Sequence, residues 1–217
     1  MKSVWSLILY ALPYLFKGAL ITAEIAVIGM LLGVVLGVAL VCLRMTKIRV
    51  LEAFVMLYVS FIRGTPFLIQ ILIVFYSLSS IGLDLSSGLT GIIAVGINCA
   101  AFISEVIRTG LNAIPKGHIE AAEALGMSRI TIFFRIKMAQ VFQIVKPQML
   151  SEFINAVKCT PILSTIGVVE ITRAATRIVT RKFHPIIIYL MAFVLYFIIC
   201  SVLEAIEQRM QKKQITT

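Results

Sequence analysis

Four polar side chains interrupt otherwise apolar stretches of the chain: Asn98, Lys158, Thr160 and Ser164. An amide, an ammonium group and two hydroxyls can hydrogen-bond a polar solute, and each is costly to place in lipid without a partner. The chemistry that they offer is binding and conduction. We therefore predict that these four residues line a pathway for a small polar substrate.

Structural roles for these residues remain open at the level of sequence. For Asn98 the alternative is an interhelical hydrogen bond, which is ordinary in helix bundles. For Lys158 it is an ion pair with Glu152 or Glu105, because a buried ammonium group without a partner loses its proton or destabilises its helix. Glu105 stands three residues before Arg108, the spacing of a helical surface pair, and neither is expected to contact a ligand.

Catalysis is not indicated by the residue pattern. No nucleophile stands beside a base, and His118 and His184 lie far apart without an HExxH pattern. The cysteines lack metal-ligand spacing, so we expect free thiols that fill apolar space: Cys42, Cys99, Cys159 and Cys200. The sequence contains no GxxxxGK(S/T) loop that would cradle ATP phosphates. We predict that the chain is not an enzyme and holds no metal or cofactor.

The elements that position these residues are long apolar segments. Hydrophobic residues occupy 60% of the 217 positions and charged residues 14%, whereas a soluble domain carries about a quarter charged residues. A bilayer core about 30 Å thick needs roughly 20 apolar helical residues. The sequence predicts an all-α membrane protein with one domain, residues 1–217, and five spans at about 19–43, 62–83, 86–107, 147–169 and 184–206.

The net charge is +10, but the basic residues are distributed as in a membrane protein, so this charge does not require nucleic acid as a partner. Lys and Arg concentrate in cytoplasmic loops. Six basic residues lie in the connection between the third and fourth spans: Arg108, Lys116, Arg129, Arg135, Lys137 and Lys146. We predict an outer amino terminus and a cytoplasmic carboxyl terminus, although this orientation places the basic run from Arg173 to Lys182 outside.

The amino-terminal part of the chain carries two further signals. Residues 4–16 look like a signal-peptide core, but no small-residue cleavage site follows, so we expect a retained outer-surface helix kinked at Pro13. Gly29, Gly33 and Gly37 recur every four residues and form a smooth stripe on one helix face. The stripe predicts close packing against a neighbouring helix of this chain or another.

The connection at about 108–146 is too polar to cross a bilayer, yet it is rich in Ala, Leu, Ile and Phe. Pro115 suits a first helical turn, Gly126 suits a helix end and Ser128 suits an N-cap. These residues predict a cytoplasmic helix-turn-helix.

Two segments resemble signatures of one family. Residues 120–126, EAAEALG, resemble the EAA motif in the cytoplasmic loop of importer permeases of the ATP-binding-cassette (ABC) superfamily. Residues 61–70, FIRGTPFLIQ, resemble the start of the second span in permeases for polar amino acids. With the likeness at 152–173, the resemblance covers roughly residues 15–209 in register.

The resemblance implies a permease subunit that moves a polar amino acid across a bacterial inner membrane. It implies that Glu120, Ala121, Ala122, Glu123 and Gly126 belong to a coupling helix, in which small residues allow close approach to an ATPase and Glu120 offers a charge. The implied partners are a cytoplasmic ABC ATPase dimer that binds ATP and Mg²⁺, a second permease copy or a paralogue, an extracytoplasmic amino-acid-binding protein and the lipid bilayer.

The chain departs from the family pattern at two places. Met138-Ala139-Gln140 replaces the usual Leu-Pro-Gln step, so we expect a weaker kink at the loop exit. Cys159 stands where related chains often have an acidic residue, from which we hypothesise a substrate that is not strongly basic. The alternative function is a secondary transporter or channel subunit for small polar solutes, although such folds are often longer chains with paired repeats, which five spans cannot form evenly.

Overall fold

The computed structural model describes residues 2–215, in which every regular element is a helix. Met1, Thr216 and Thr217, the ends of the predicted domain, lie outside the described residues. The α-helices are α1 (Lys2–Met45), α2 (Arg49–Gly64), α3 (Phe67–Ser80), α4 (Ser87–Asn112), α5 (Lys116–Ala124), α6 (Arg129–Thr131), α7 (Met138–Cys159), α8 (Ile171–Lys182) and α9 (Pro185–Ile215). A π-helical turn, Ile132–Lys137, joins α6 to α7, and a 3-10 segment, Thr160–Ile166, follows α7.

Three helices within residues 2–215 are long and apolar enough to cross a bilayer: α1, α4 and α9. Two more spans result if each bent pair of helices is counted as one. The first pair is α2 with α3, bent by 113°, and the second is 129–166 with α8, bent by 48°. The described residues thus hold three to five candidate spans, and the predicted number is the upper end of this range.

The predicted span at 62–83 is divided in the structure. Pro66 lacks an N–H group and restricts the residue before it, so Thr65 adopts extended backbone (φ −120°, ψ 149°). The helix therefore ends at Gly64, and α3 starts in a new direction. With 14 residues, α3 is only about 21 Å long. Hydropathy alone missed this break because it ignores the backbone restriction that proline imposes.

Residues 4–16, expected as a helix kinked at Pro13, are helical and do not form an element of their own. These residues continue through Pro13 into one helix of 44 residues, α1. Leu7, Ala11 and Leu15 are buried against residues of α8 and α9. This packing supports the amino-terminal turns and keeps α1 continuous.

The close packing predicted for the glycine stripe is confirmed within this chain. A Cβ atom added to Gly29, Gly33 or Gly37 would lie only 2.5–2.9 Å from side-chain atoms of α4, in Val95, Cys99 and Ile103. Such distances are below van der Waals contact, so only glycine permits this approach. The α1–α4 contact forms the centre of the largest buried apolar cluster.

Candidate functional site

A cavity of about 270 Å³ lies where α2, α3, α4 and α7 meet. Its polar lining combines a guanidinium group, a carboxylate, two amides, a hydroxyl and two thiols, contributed by Arg63, Glu152, Asn98, Asn155, Thr65, Cys99 and Cys159. The remaining wall is mainly apolar. A small cavity with a few convergent polar groups is the usual form of a binding site for a small solute.

Arg63 reaches this cavity from the last turn of α2, directly before the break at Pro66. Its guanidinium carbon lies 5.6 Å from the centroid of the Phe102 ring, and Nη1 lies 3.9 Å from a carboxylate oxygen of Glu105. The side chain is 49% exposed. Because the contact with Glu105 is long and a guanidinium has five N–H groups, Arg63 retains donors for a solute.

Glu105 connects three helices at the edge of the cavity. Its carboxylate accepts a hydrogen bond of 2.9 Å from Arg44 of α1 and two of 3.1 Å from Nε of Arg108. The predicted Glu105–Arg108 pair is therefore present, and the structure adds Arg44 and the longer contact to Arg63. We call Glu105 with these three arginines the Glu105 cluster.

Asn98 lines the cavity and also makes an interhelical hydrogen bond. Its Nδ2 donates to Oε1 of Gln70 at 2.8 Å. The buried Gln70 in turn donates to the carbonyl of Ile62 at 2.7 Å and to the carbonyl and hydroxyl of Thr65 at 3.1 and 3.0 Å. Both of the roles left open for Asn98 are compatible with this position. Gln70 thus donates hydrogen bonds to carbonyl groups that lack a helical partner where α2 ends.

Replacing Gln70 by Leu is expected to lower stability by about 1–3 kcal/mol, because it leaves the Ile62 carbonyl and the Asn98 amide without a partner. Thermal unfolding of the purified chain in detergent measures the effect. The exposed Gln208 of α9 provides the matched control, and Gln208→Leu should unfold close to the native temperature. Equal shifts for the two variants would contradict this role of Gln70.

Three of the four residues predicted from their polarity lie outside this cavity. Lys158 forms an ion pair of 2.9 Å with Glu204 of α9, so its partner is neither Glu152 nor Glu105. Thr160 is fully buried and donates to the carbonyl of Val157 at 2.8 Å. Ser164 is half-buried in the 3-10 segment. The geometry therefore brings only Asn98 of this set into the cavity.

Arg63, Glu152 and Asn155 were not predicted as site residues, although the sequence contained a signal for two of them. Glu152, Asn155 and Cys159 follow one another at spacings of three and four residues, which places them on one face of α7. Arg63 lies in the segment that resembles the family motif, but no local pattern shows which way the last turn of α2 faces.

The helix-turn-helix predicted between α4 and α7 is present. In α5, Ala122 is buried, whereas Glu120, Ala121 and Glu123 are exposed. The helix ends at Ala124, and Gly126 follows two residues later with a φ of +73°, the left-handed conformation that glycine adopts without strain. Ser128 then accepts a hydrogen bond of 3.2 Å from the backbone N–H of Thr131 and caps α6. Pro115 is the N-cap, one position before the first turn where we expected it.

Comparison with known proteins gives the class of protein. The model of the family described as binding-protein-dependent transport system inner membrane component matches residues 29–215, and the chain belongs to this family. It is thus a membrane component of a transport system and not an enzyme. The resemblance to ABC importer permeases is confirmed.

Individual relatives narrow the class to permeases of amino-acid transport systems. Over 203 residues the chain is 34% identical to the putative glutamine transport system permease protein GlnP of Rickettsia conorii, with 93% of each chain covered. Over 202 residues it is 33% identical to the L-cystine transport system permease protein TcyB of Bacillus subtilis, covering 93% of this chain and 86% of TcyB. The crystal structure of an amino acid ABC transporter with histidines is similar at a TM-score of 0.90 and 26% identity, with 96% and 97% of the two chains covered.

Proposed function

We propose that this chain carries a polar amino acid that is not strongly basic into the cytoplasm, as the permease subunit of an ABC importer. ATP is hydrolysed with Mg²⁺ on separate ATPase subunits. The observation that carries the proposal is the cavity in which a cationic and an anionic side chain, Arg63 and Glu152, occur together. An amino acid has one carboxylate and one ammonium group, so it matches both charges of this cavity.

In this proposal Arg63 binds the α-carboxylate, since a guanidinium group holds a carboxylate through two parallel hydrogen bonds. Glu152 binds the α-ammonium group. Asn98 donates to Gln70 and the Asn155 side chain hydrogen-bonds Glu152, so it is the amide oxygens of the two residues that are left for a polar side chain of the substrate. Lys158, Thr160 and Ser164 remain candidates for other parts of the pathway, outside this cavity.

Cys159 tests the proposed substrate class because it lines the same cavity. A thiol offers no negative charge to a cationic substrate side chain. We expect native uptake to favour glutamine over arginine, and Cys159→Asp to shift the ratio toward arginine by about tenfold through a new charge-assisted hydrogen bond. Competition assays with labelled glutamine measure the ratio, with Cys159→Asn as the uncharged control. Preferential uptake of arginine or lysine by the native permease would contradict the proposal.

The exposed residues Glu120, Ala121 and Glu123 fit α5 as the coupling helix that contacts the ATPase dimer. α4 lines the cavity and ends at Asn112, only a short turn before α5 begins at Lys116. A displacement of α5 therefore reaches the cavity through one continuous helix. The proposed assembly also contains a second permease copy or a paralogue, and an extracytoplasmic amino-acid-binding protein. In it the amino terminus is outside, and α5 and the carboxyl terminus are cytoplasmic.

Co-purification with the ATPase subunit in detergent tests this docking. Glu120→Lys and Gly126→Asp should each weaken ATPase capture by about tenfold, a loss of ~1.4 kcal/mol. The first variant reverses an exposed charge, and the second alters the turn that ends α5. Gly82→Asp is the matched control, because Gly82 also has a positive φ (+79°) and no neighbour within 4 Å, but it lies between α3 and α4. A native chain that captures no ATPase would favour the secondary-transporter alternative.

A further inference from the structure

A second and larger cavity, of about 450 Å³, lies between the amino-terminal part of α1 and α8, away from the substrate cavity. Three basic side chains line it, Lys17 from α1 with Arg177 and Arg181 from α8, and no acidic residue does. Two phenols, Tyr10 and Tyr14, complete the polar wall. The cavity is therefore built to attract an anion.

The positive charges of this cavity are not neutralised by the protein. Within the described part of the chain, none of Lys17, Arg177 and Arg181 forms an ion pair. The neighbouring carboxylate in the sequence, Glu170, is fully buried and already accepts hydrogen bonds from the backbone of Thr172 and Arg173 and from the phenol of Tyr196. Like charges that share a cavity repel one another unless an anion lies between them.

Its position along α1 places the cavity at the level of lipid headgroups. A cluster of charged groups is costly in lipid, so we expect Arg44 of the Glu105 cluster at one membrane boundary. Lys17 precedes Arg44 by about 27 residues, or about 40 Å of helix. A bilayer measures about 30 Å across its hydrocarbon and about 40–45 Å with its headgroups. Lys17 therefore lies near the headgroups of the opposite leaflet.

An apolar surface adjoins the cavity. On the bilayer side of Lys17, α1 exposes large apolar side chains at spacings of seven and four residues, which form one stripe: Leu20, Val27, Leu31 and Val35. The stripe begins three residues after Lys17, on the same side of the helix as this cavity residue. A ligand with an anionic head and acyl chains matches both surfaces, whereas a free inorganic anion matches only the cavity.

We propose that this cavity binds the headgroup of an anionic phospholipid. Arg177, Arg181 and Lys17 hold the phosphate oxygens through charge-assisted hydrogen bonds, as basic pockets between membrane helices do. The acyl chains lie along the apolar stripe of α1. Because one phosphate is shared between two helices, the lipid fastens α1 at Lys17 to α8.

Native mass spectrometry tests the proposal on the permease purified with its ATPase from nanodiscs that contain equal amounts of phosphatidylglycerol and phosphatidylcholine. The native chain should retain phosphatidylglycerol in preference. Arg177→Gln with Arg181→Gln should reduce this preference by about 30-fold. The control pair Lys146→Gln with Arg209→Gln removes the same charge from exposed positions outside the cavity and should retain the native preference.

Further measurements distinguish a lipid headgroup from a free anion, and a loss of binding from a loss of folding. The double variant Arg177→Lys with Arg181→Lys keeps both positive charges and should retain most of the preference for phosphatidylglycerol. If the double variant Arg177→Gln with Arg181→Gln does not fold, Lys17→Gln alone should lower this preference. Equal retention of both lipids by the native chain would overturn the proposal. Displacement of the lipid by excess inorganic phosphate would show a site for free anions instead. An unchanged lipid preference with weakened capture of the binding protein would show that the arginines dock a protein.

Discussion

Replacing Gly33 by Leu is expected to destabilise the folded permease strongly. The Cβ atom alone would lie 2.5 Å from the Cβ of Cys99 and 3.2 Å from the carbonyl oxygen of Gly96, both in α4. Neither contact involves the flexible end of a side chain, so α1 and α4 must separate. Overpacking of this kind costs about 1–3 kcal/mol or more. Size-exclusion profiles and melting temperatures in detergent measure the loss.

Two variants make this prediction specific to the α1–α4 contact. Gly88→Leu places the same side chain at the start of α4, where a Cβ meets nothing within 4 Å, and it should fold as the native chain does. Adding Cys99→Gly to Gly33→Ala removes the opposing Cβ and should restore part of the stability that Gly33→Ala loses. Similar loss in Gly88→Leu and Gly33→Leu would contradict the packing argument.

Neutralising either charge of the proposed substrate cavity should reduce uptake by about 10- to 100-fold, the effect of losing a hydrogen bond of about 1.5–3 kcal/mol to a charged group. The informative variants are Arg63→Gln and Glu152→Gln, which keep the approximate size of each side chain. Glutamine uptake into proteoliposomes that contain the ATPase and the binding protein measures the effect. Co-purification of the ATPase should be unchanged, because α5 is untouched.

Arg49→Gln and Glu52→Gln serve as controls for this experiment. Both lie in the first turn of α2 and do not line the cavity. Each removes one charge of the same sign as its test variant, and both should transport at close to the native rate. Native uptake by Arg63→Gln would show that the carboxylate of the substrate is bound elsewhere, and this result would leave the docking of the ATPase unaffected.

Local sequence patterns predicted those parts of the fold that depend on local properties. The apolar segments of α1, α4 and α9 and the turn at Gly126 follow from composition, backbone freedom and capping. The glycine stripe also predicted close packing, although its partner on α4 could be named only from the structure. The division between α2 and α3 is also encoded locally, because Pro66 forces Thr65 out of the helical conformation, a restriction that hydropathy does not measure.

The cavity lined by Arg63 and Glu152 was less predictable because its residues come from separate helices. Asn98 was found by its polarity within an apolar segment, but the same criterion selected Lys158, whose partner Glu204 lies on α9. No rule of spacing connects residues on two helices that meet only after folding. Arg63 and Glu152 share a cavity for the same reason, and tertiary packing was needed to bring them together.

One carboxylate, that of Glu105, faces three guanidinium groups. In the proposed site, a substrate carboxylate that binds the free donors of Arg63 shares this guanidinium group with Glu105, while Arg44 and Arg108 hold Glu105 in place. The two carboxylates repel each other, so a shared guanidinium group gives less binding free energy than a free one and a lower barrier to departure. Under the proposed function, the Glu105 cluster thus limits the affinity of the cavity, which suits a carrier that must release its cargo in every turnover.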